Sequence, residues 1–328
     1  MENRDRIDIK DEIRKRYGTV RRVYDYHLYT AKGVRLLDLC QEGGSAILGW
    51  RGGRSKLAFK NTLDRGITGT FPTELEDELV RAVQELLPQY RTVRWYATRD
   101  RARMACAQYL GLWSEIPLIE SPLLHPEATV DIGPPGDSPH SAARALHGVP
   151  IWRPWLDEAY YTMSDRVDSA FLREANDTLD TMVLVSPLPF AGGCAIAVFA
   201  DDPPVPGTSG AQGSGKGSIM PSDSIAPALL GALARGFYDL AAALAERTES
   251  DWSRFDSYTA PYWDRRGPYL VPKIRKSKYP EFFRTCLDKG LLISPEYETP
   301  SIVPIVADAG EFKSLAKGPS GKAQARES

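Results

Sequence analysis

Hydrophobic residues recur along this chain with two different periods, and segments of the two kinds alternate. A period of two, as in Val23–Thr30, is typical of a half-buried strand. A stripe at helical spacing, as in Leu75, Leu79 and Val83, is typical of an amphipathic helix. Alternating strands and helices in the middle of the chain predict a layered α/β fold. The pattern predicts helices over 5–17, 75–87, 101–110, 165–179, 225–247 and 279–289, and strands over 23–30, 34–39, 92–97, 116–120, 149–153, 182–186, 194–200, 291–294 and 302–306.

Local signals mark the ends of several elements. Thr73 and Glu76 have the capping-box spacing, which predicts that a helix begins there, and Pro88 ends it. Gly290 stands at the C′ position of the last predicted helix. The Pro-, Gly- and Ser-rich stretch 201–224 is too long for an ordinary connection and predicts an extended loop.

Composition narrows the function classes. The chain has 328 residues, of which 42% are hydrophobic and 26% charged, so we expect one large globular domain or two ordinary ones. The formal net charge of −2 offers no basic excess, and we expect no nucleic-acid partner. Charged residues and Pro227 interrupt the apolar run Ile225–Leu244, and the N-terminus is charged from its start. These features predict a cytoplasmic protein with no membrane segment.

Cysteine and histidine spacing offers no metal or disulfide signature. No C-x-x-C occurs, and the histidines lack the spacing of a metal site. We therefore expect no metal site and no disulfide framework. The residues concerned are Cys40, Cys106, Cys194, Cys286, His27, His125, His140 and His147.

A near match to a phosphate-binding loop lies at Gly210–Gly217. Such a loop requires Ser or Thr after its lysine to hold magnesium, but Gly217 follows Lys216. The segment also does not open directly into a helix. A flexible loop is the better interpretation.

Four segments of the chain, at 29–73, 95–109, 184–199 and 279–295, share motifs with one family. Together they resemble class-III aminotransferases of the pyridoxal 5'-phosphate (PLP)-dependent fold-type-I superfamily, above all glutamate-1-semialdehyde aminomutase. Between Tyr29 and Thr73, YTAKGVRLLDLCQEGGSAILGW and LDRGITGTFPT are similar to the family's hairpin, glycine turn and G-x-P-T-E-L-E stretch. Trp95–Tyr109 is similar to the helix that follows its S-G-T turn. Leu184–Phe199 is similar to the segment carrying its Schiff-base lysine, and Tyr279–Pro295 to its closing helix. The chain is shortened between Gly111 and Leu184 relative to this family.

The resemblance implies a fold-type-I architecture. We expect a large α/β domain over 61–262 with a mainly parallel sheet. A small α+β domain would combine both chain ends, 1–60 and 263–315, followed by a disordered tail over 316–328. The resemblance also implies a homodimer. The apolar runs Ala46–Leu48 and Ala228–Leu233 are consistent with buried interface segments.

Departures from the family fall on the cofactor-binding residues. The S-G-T turn, which binds the PLP phosphate at a helix N-terminus, corresponds to Thr98, Arg99 and Asp100. A carboxylate at Asp100 would repel a phosphate, and Arg99 would partly offset it or fill the site itself. Ser222 corresponds to a hydroxyl that reaches the phosphate across the dimer interface. We interpret these residues as a degenerate phosphate site.

The Schiff-base lysine corresponds to Leu188, which has no amine. Lys216 is the only lysine between Asn61 and Pro272 and is an outside candidate for that role. No acidic partner of the pyridine nitrogen can be identified.

Two functions from different classes follow. The first is a degenerate protein without transaminase activity or a bound cofactor, acting as a binding, regulatory or structural protein for an unknown small-molecule ligand or partner. The alternative is an active or altered PLP-dependent aminotransferase or aminomutase that acts on a small amino-group substrate. An unrelated α/β protein remains a third interpretation.

Overall fold

The computed structural model describes residues 7–69, 71–111, 116–121, 124, 148–156, 180–201 and 218–316. The chain divides into two compact units, one over Gly44–Glu246 and one that combines Met1–Gly43 with Arg247–Ser328. The sequence placed the corresponding boundaries at 60–61 and 262–263. The predicted helix over 165–179 and Lys216 lie outside the described residues.

Helices and strands alternate along most of the described chain. The helices are α1 (Ile9–Tyr17), α2 (Ser55–Asp64), α3 (Glu74–Leu86), α4 (Arg99–Tyr109), α5 (Pro227–Glu246), α6 (Ser250–Ser253), α7 (Asp256–Thr259), α8 (Tyr279–Asp288) and α9 (Ala309–Ala316). The strands are β1 (Val20–Tyr24), β2 (His27–Thr30), β3 (Arg35–Asp38), β4 (Thr92–Tyr96), β5 (Leu118–Ile119), β6 (Val149–Trp152), β7 (Thr181–Val185), β8 (Ala195–Phe199), β9 (Trp263–Arg266), β10 (Tyr269–Pro272), β11 (Leu291–Leu292) and β12 (Ser301–Ile302).

A five-stranded sheet in the order β4-β8-β7-β6-β5 is the centre of the Gly44–Glu246 unit. Strands β5, β6 and β7 are parallel, whereas β8 is antiparallel to both β7 and β4. The sheet is therefore mixed, and the expected parallel character holds for one half of it. Because β8 is antiparallel to both of its neighbours, β4 and β7 run in the same direction. The carboxyl ends of β4 and β7 therefore lie at the same edge of the sheet.

Two sets of helices complete this unit. Helix α4 packs on β4, β6, β7 and β8, and small residues such as Ala102, Ala105 and Cys106 allow its close approach. Helices α2 and α3 pack against α5. Helix α5 is long and apolar enough to cross a membrane by length and composition alone, but 56% of its most apolar window is buried inside the unit. That burial is typical of a core helix.

A carboxylate on α5 caps the start of α2. The Arg54 N–H donates to Asp239 Oδ2 at 2.9 Å, and Arg235 also binds this carboxylate. Gly53 precedes Arg54 with φ of +55°, and a Cβ there would lie 2.5 Å from Asp239 Oδ2. Glycine is therefore required for the loop to approach α5 this closely.

Both chain ends build the second unit. Strands β1, β2 and β3 form an antiparallel meander, and β11 joins it parallel to β3, with Leu291 opposite Leu37. A second sheet has the order β12-β10-β9 and is antiparallel. The β9–β10 hairpin was not predicted, because its charged residues Asp264, Arg265 and Arg266 mask the strand pattern.

One local prediction was wrong, and another was confirmed without its expected hydrogen bond. The run 23–30 is not one strand, because the chain turns at Asp25 and Tyr26, where Asp25 has φ of +49°. Alternation continues across this turn, so the pattern did not reveal it. Thr73 stands at the N-cap of α3, but its side chain makes no capping hydrogen bond.

Candidate functional site

The turn after β7 carries Leu188 in a closed apolar position. Its N–H donates to Ser186 O at 2.8 Å, and its carbonyl accepts the Ala191 N–H at 3.0 Å. A Cβ on Gly52 would lie 3.6 Å from Leu188 Cδ1, so the leucine packs against that glycine. Only 1% of Leu188 is exposed. The Ser186 hydroxyl is also buried and has no hydrogen-bond partner among the described residues.

The turn after β4 forms the N-terminus of α4. Thr98 caps this helix, because its hydroxyl accepts the Arg101 N–H at 3.2 Å. Arg99 Nη2 donates to Ser45 Oγ at 3.2 Å. Ser45 and Gly52 both belong to the glycine-rich segment 43–53, which therefore contacts the Arg99 side chain and the Leu188 side chain.

Asp100 is bound along its own helix. Arg103 contacts its carboxylate through Nε at 2.8 Å and Nη2 at 2.7 Å, and the Asp100 side chain is 70% exposed. A carboxylate in the first turn is also favoured by the helix dipole. The sequence suggested Arg99 as the residue that offsets Asp100, whereas the structure pairs Asp100 with Arg103.

The Ser222 side chain is hydrogen-bonded to the backbone of β4. Its hydroxyl accepts the Trp95 N–H at 3.3 Å, and the next residue, Asp223, donates its own N–H to Trp95 O at 2.9 Å. Residues 222–223 thus continue along the outer edge of the edge strand β4.

Asp223 is a site residue that the sequence analysis missed. Arg101 Nε lies 2.9 and 2.8 Å from its two carboxylate oxygens, and the Ala97 N–H donates to Oδ2 at 2.9 Å. The hydrogen bonds from Arg101 hold the pKa of Asp223 below its usual range, with a smaller contribution from the Ala97 N–H and against the effect of burial. Asp223 directly follows Ser222 in the sequence, but only the Ser222 hydroxyl was selected there.

A buried ion pair follows strands β5 and β6 and was also missed. Arg153 donates to Glu120 through Nε at 2.8 Å and Nη2 at 2.6 Å. Their side chains are only 3% and 8% exposed. Burying either charge alone would be costly, so each requires the other. In the sequence, Glu120 and Arg153 each follow directly after a short apolar strand, and this position could have identified them.

The predicted residues fall into two groups. Thr98, Arg99 and Leu188 follow β4 and β7 at their carboxyl ends, the edge at which α/β sheets bind ligands. Ser222 lies instead beside Trp95, within β4. Lys216 lies outside the described residues.

Metal ligation has no basis in the part of the chain described. No group of three or more His, Cys, Asp or Glu residues there could hold a metal ion.

Comparison with known proteins identifies the fold. No protein-family model matches the sequence. An uncharacterized protein of Treponema pallidum (strain Nichols) is 29% identical over 308 residues, which cover 89% of this chain and 91% of that protein.

Solved aminotransferases share the architecture. An omega-transaminase from Sphaerobacter thermophilus has a TM-score of 0.56 and 12% identity, over 90% of this chain and 88% of its own. The ornithine aminotransferase of Plasmodium yoelii has a TM-score of 0.54 and 11% identity, over 94% and 97%. A transaminase solved with PLP bound has a TM-score of 0.57 and 12% identity, over 90% of each chain. The chain therefore has the fold of PLP-dependent aminotransferases, fold type I.

Proposed function

We propose that this chain is a degenerate class-III aminotransferase-like protein, with motifs closest to glutamate-1-semialdehyde aminomutase, that acts by binding rather than by transamination. The observation that carries the proposal is the environment of Leu188. A leucine that is 1% exposed and packed on Gly52 stands where the resemblance puts the lysine. An aliphatic side chain supplies neither a nucleophile nor a proton acceptor.

Among the described residues, a leucine stands at the position that corresponds to the Schiff-base lysine, which supports a chain without covalently bound PLP. Lys216, the only lysine between Asn61 and Pro272, is not among them. Residues of the degenerate phosphate site contact the protein itself: Arg99 binds Ser45, and the Ser222 hydroxyl accepts a backbone N–H of β4. We therefore assign no cofactor chemistry to this chain.

Covalent labelling tests the proposal. The purified chain is incubated with PLP, reduced with borohydride and mapped by mass spectrometry, with Lys216→Ala as the matched control. We expect only scattered weak labelling of surface lysines such as Lys10, Lys15 and Lys276, equal in both proteins.

The alternative, a PLP enzyme that uses Lys216, predicts a different result. A stoichiometric phosphopyridoxyl group on Lys216, together with amino-group transfer that Lys216→Ala abolishes, would overturn the proposal. Such a result would place the chain among active aminotransferases.

We also propose that the chain forms a homodimer, on the strength of the resemblance. The apolar runs that suggested an interface give less support than expected, because Ala46, Ile47, Ala228 and Leu233 are buried within the single chain. Light scattering on a size-exclusion column at micromolar concentration should give twice the 36.3 kDa chain mass. A mass of one chain would contradict the dimer.

A further inference from the structure

A cleft of about 650 Å³ lies in the Gly44–Glu246 unit, between the segment that leads into α3 and the segment that leads into α5. This volume is in the range of sites for small organic molecules. Of the predicted site residues, Ser222 lines it, whereas Thr98, Arg99 and Leu188 do not. The cleft is therefore lined by other residues than those of the turns after β4 and β7.

Arg94 supplies the positive charge of the cleft. Its side chain is half-buried at the edge of the sheet, where Nη1 donates to Val93 O at 3.2 Å. This is its one hydrogen bond among the described residues, and no carboxylate there lies within ion-pair distance of it. A guanidinium has five N–H donors, so Arg94 retains the capacity to bind a planar anion in a bidentate manner.

Two carboxylates line the same cleft, and their electrostatic roles differ. Arg101 neutralises Asp223 through the short contacts given above. Glu76, on the first turn of α3, is exposed and has no ion-pair partner in the described part of the chain. One free positive and one free negative charge therefore face the cleft, so a ligand with a single negative charge is favoured over a dianion.

Apolar side chains form part of the remaining wall. Phe71 is 70% exposed, although its ring folds over Gly69. Pro72, Ile225 and Leu230 also line the cleft. An exposed aromatic ring and a guanidinium in the same cleft are suited to a ligand that has an apolar body and one polar end.

We propose that this cleft binds a small organic monocarboxylate with an aromatic or aliphatic body, and that Arg94 binds the carboxylate. Guanidinium and carboxylate match in geometry, and their charge-assisted hydrogen bonds are stronger than neutral ones. Glu76 excludes phosphate monoesters by repulsion of their second negative charge. The assignment does not depend on the absence of PLP chemistry at Leu188.

Ligand-observed saturation-transfer NMR on the full chain tests the proposal, with phenylacetate as the probe and phenylacetamide as its uncharged isostere. We expect phenylacetate to bind and phenylacetamide to bind at least about tenfold more weakly. Arg94→Gln should weaken phenylacetate binding by a similar factor. Arg81→Gln, an exposed change on α3 outside the cleft, should leave it unchanged. Thermal unfolding of both variants verifies folding.

Charge selectivity gives a second readout. Phenyl phosphate should not bind the natural chain, and Glu76→Gln should admit it while retaining phenylacetate. The proposal is overturned if phenylacetate fails to bind, if Arg94→Gln leaves its affinity unchanged, or if phenyl phosphate binds the natural chain as well as phenylacetate does. PLP labelling of Lys216 would overturn the proposed function and leave this site standing, so the two failures are distinguishable.

Discussion

At the scale of single residues, close contacts decide what the segment 43–53 can do. Gly53 gives room for the Asp239 carboxylate that caps α2, whereas a Cβ at Gly52 would make only an ordinary contact with Leu188. Both glycines have positive φ, a backbone conformation that other residues adopt only with strain. Backbone strain therefore favours glycine at both positions, and the close approach of Asp239 adds a steric reason at Gly53.

Gly53→Ala should lower the free energy of unfolding by about 2–4 kcal/mol, because the strain of positive φ and the clash with Asp239 Oδ2 add together. Gly66→Ala is the matched control: its φ is +71° and nothing lies within 4 Å of a Cβ there, so only the strain term of about 1–2 kcal/mol remains. Urea denaturation of both variants gives the comparison. Equal losses would show that the approach of Asp239 imposes no steric restriction.

Leu188→Ala should destabilise the chain by about 2–4 kcal/mol, because it removes buried methyl groups and leaves a cavity. Leu188→Met conserves the volume and should cost less than about 1.5 kcal/mol. Thermal unfolding followed by circular dichroism measures both. A Leu188→Ala variant as stable as the natural chain would mean that this turn is not packed as described.

At the scale of elements, the edge strand β4 is held from outside by a loop. Ser222 and Asp223 bond to the Trp95 backbone, and Asp223 also ties Ala97 and Arg101 to the same loop. An exposed strand edge invites pairing with other chains. These residues cover part of the β4 edge and fix the start of α5.

The Asp223–Arg101 contact makes stability depend on pH. Because the pKa of Asp223 is lowered in the folded chain, its contribution to stability is present above the unfolded value of about 4 and is lost as the pH falls through the lowered folded value. Asp223→Asn should therefore be less stable than the natural chain at pH 7 and pH 5, and this gap should narrow below about pH 4. Urea unfolding across pH measures it, with exposed Asp64→Asn as the control. A gap that is constant down to pH 2 would contradict the ion pair.

At the scale of the whole molecule, the two chain ends complete one unit together. The Leu37 N–H donates to Gly290 O at 2.9 Å, and the Leu39 N–H donates to Leu292 O at 2.8 Å. Gln41 reaches Ile302 O, and His27 binds Glu311. The first forty residues thus depend on residues more than 250 positions away.

A chain that ends at Gly290 should lose the structure of its N-terminal meander. Hydrogen–deuterium exchange should show that amides of β2 and β3 lose protection, whereas amides of β4 and β8 keep it, because the Gly44–Glu246 unit has its own sheet and core. Retained protection in β3 would show that the meander is stable without β11.

Much of the candidate site was beyond prediction from the sequence. Thr98, Arg99, Leu188 and Ser222 were selected on sequence grounds, yet the contacts that occupy Arg99 and Ser222 come from segments distant in sequence. Glu120 and Arg153 were not selected, because one sequence does not show which strands are neighbours.

The sequence by itself determined most of the described elements, because helical and strand periods, prolines and glycines act over a few residues. It placed α3, α4, α5, α8 and strands β4, β7 and β8 within a few residues of their observed bounds. Only the tertiary structure decided the strand order, the partners of Asp223 and the cleft around Arg94. These features depend on contacts between residues far apart in the chain. The hydrophobic pattern within one segment does not show which distant segments it will contact.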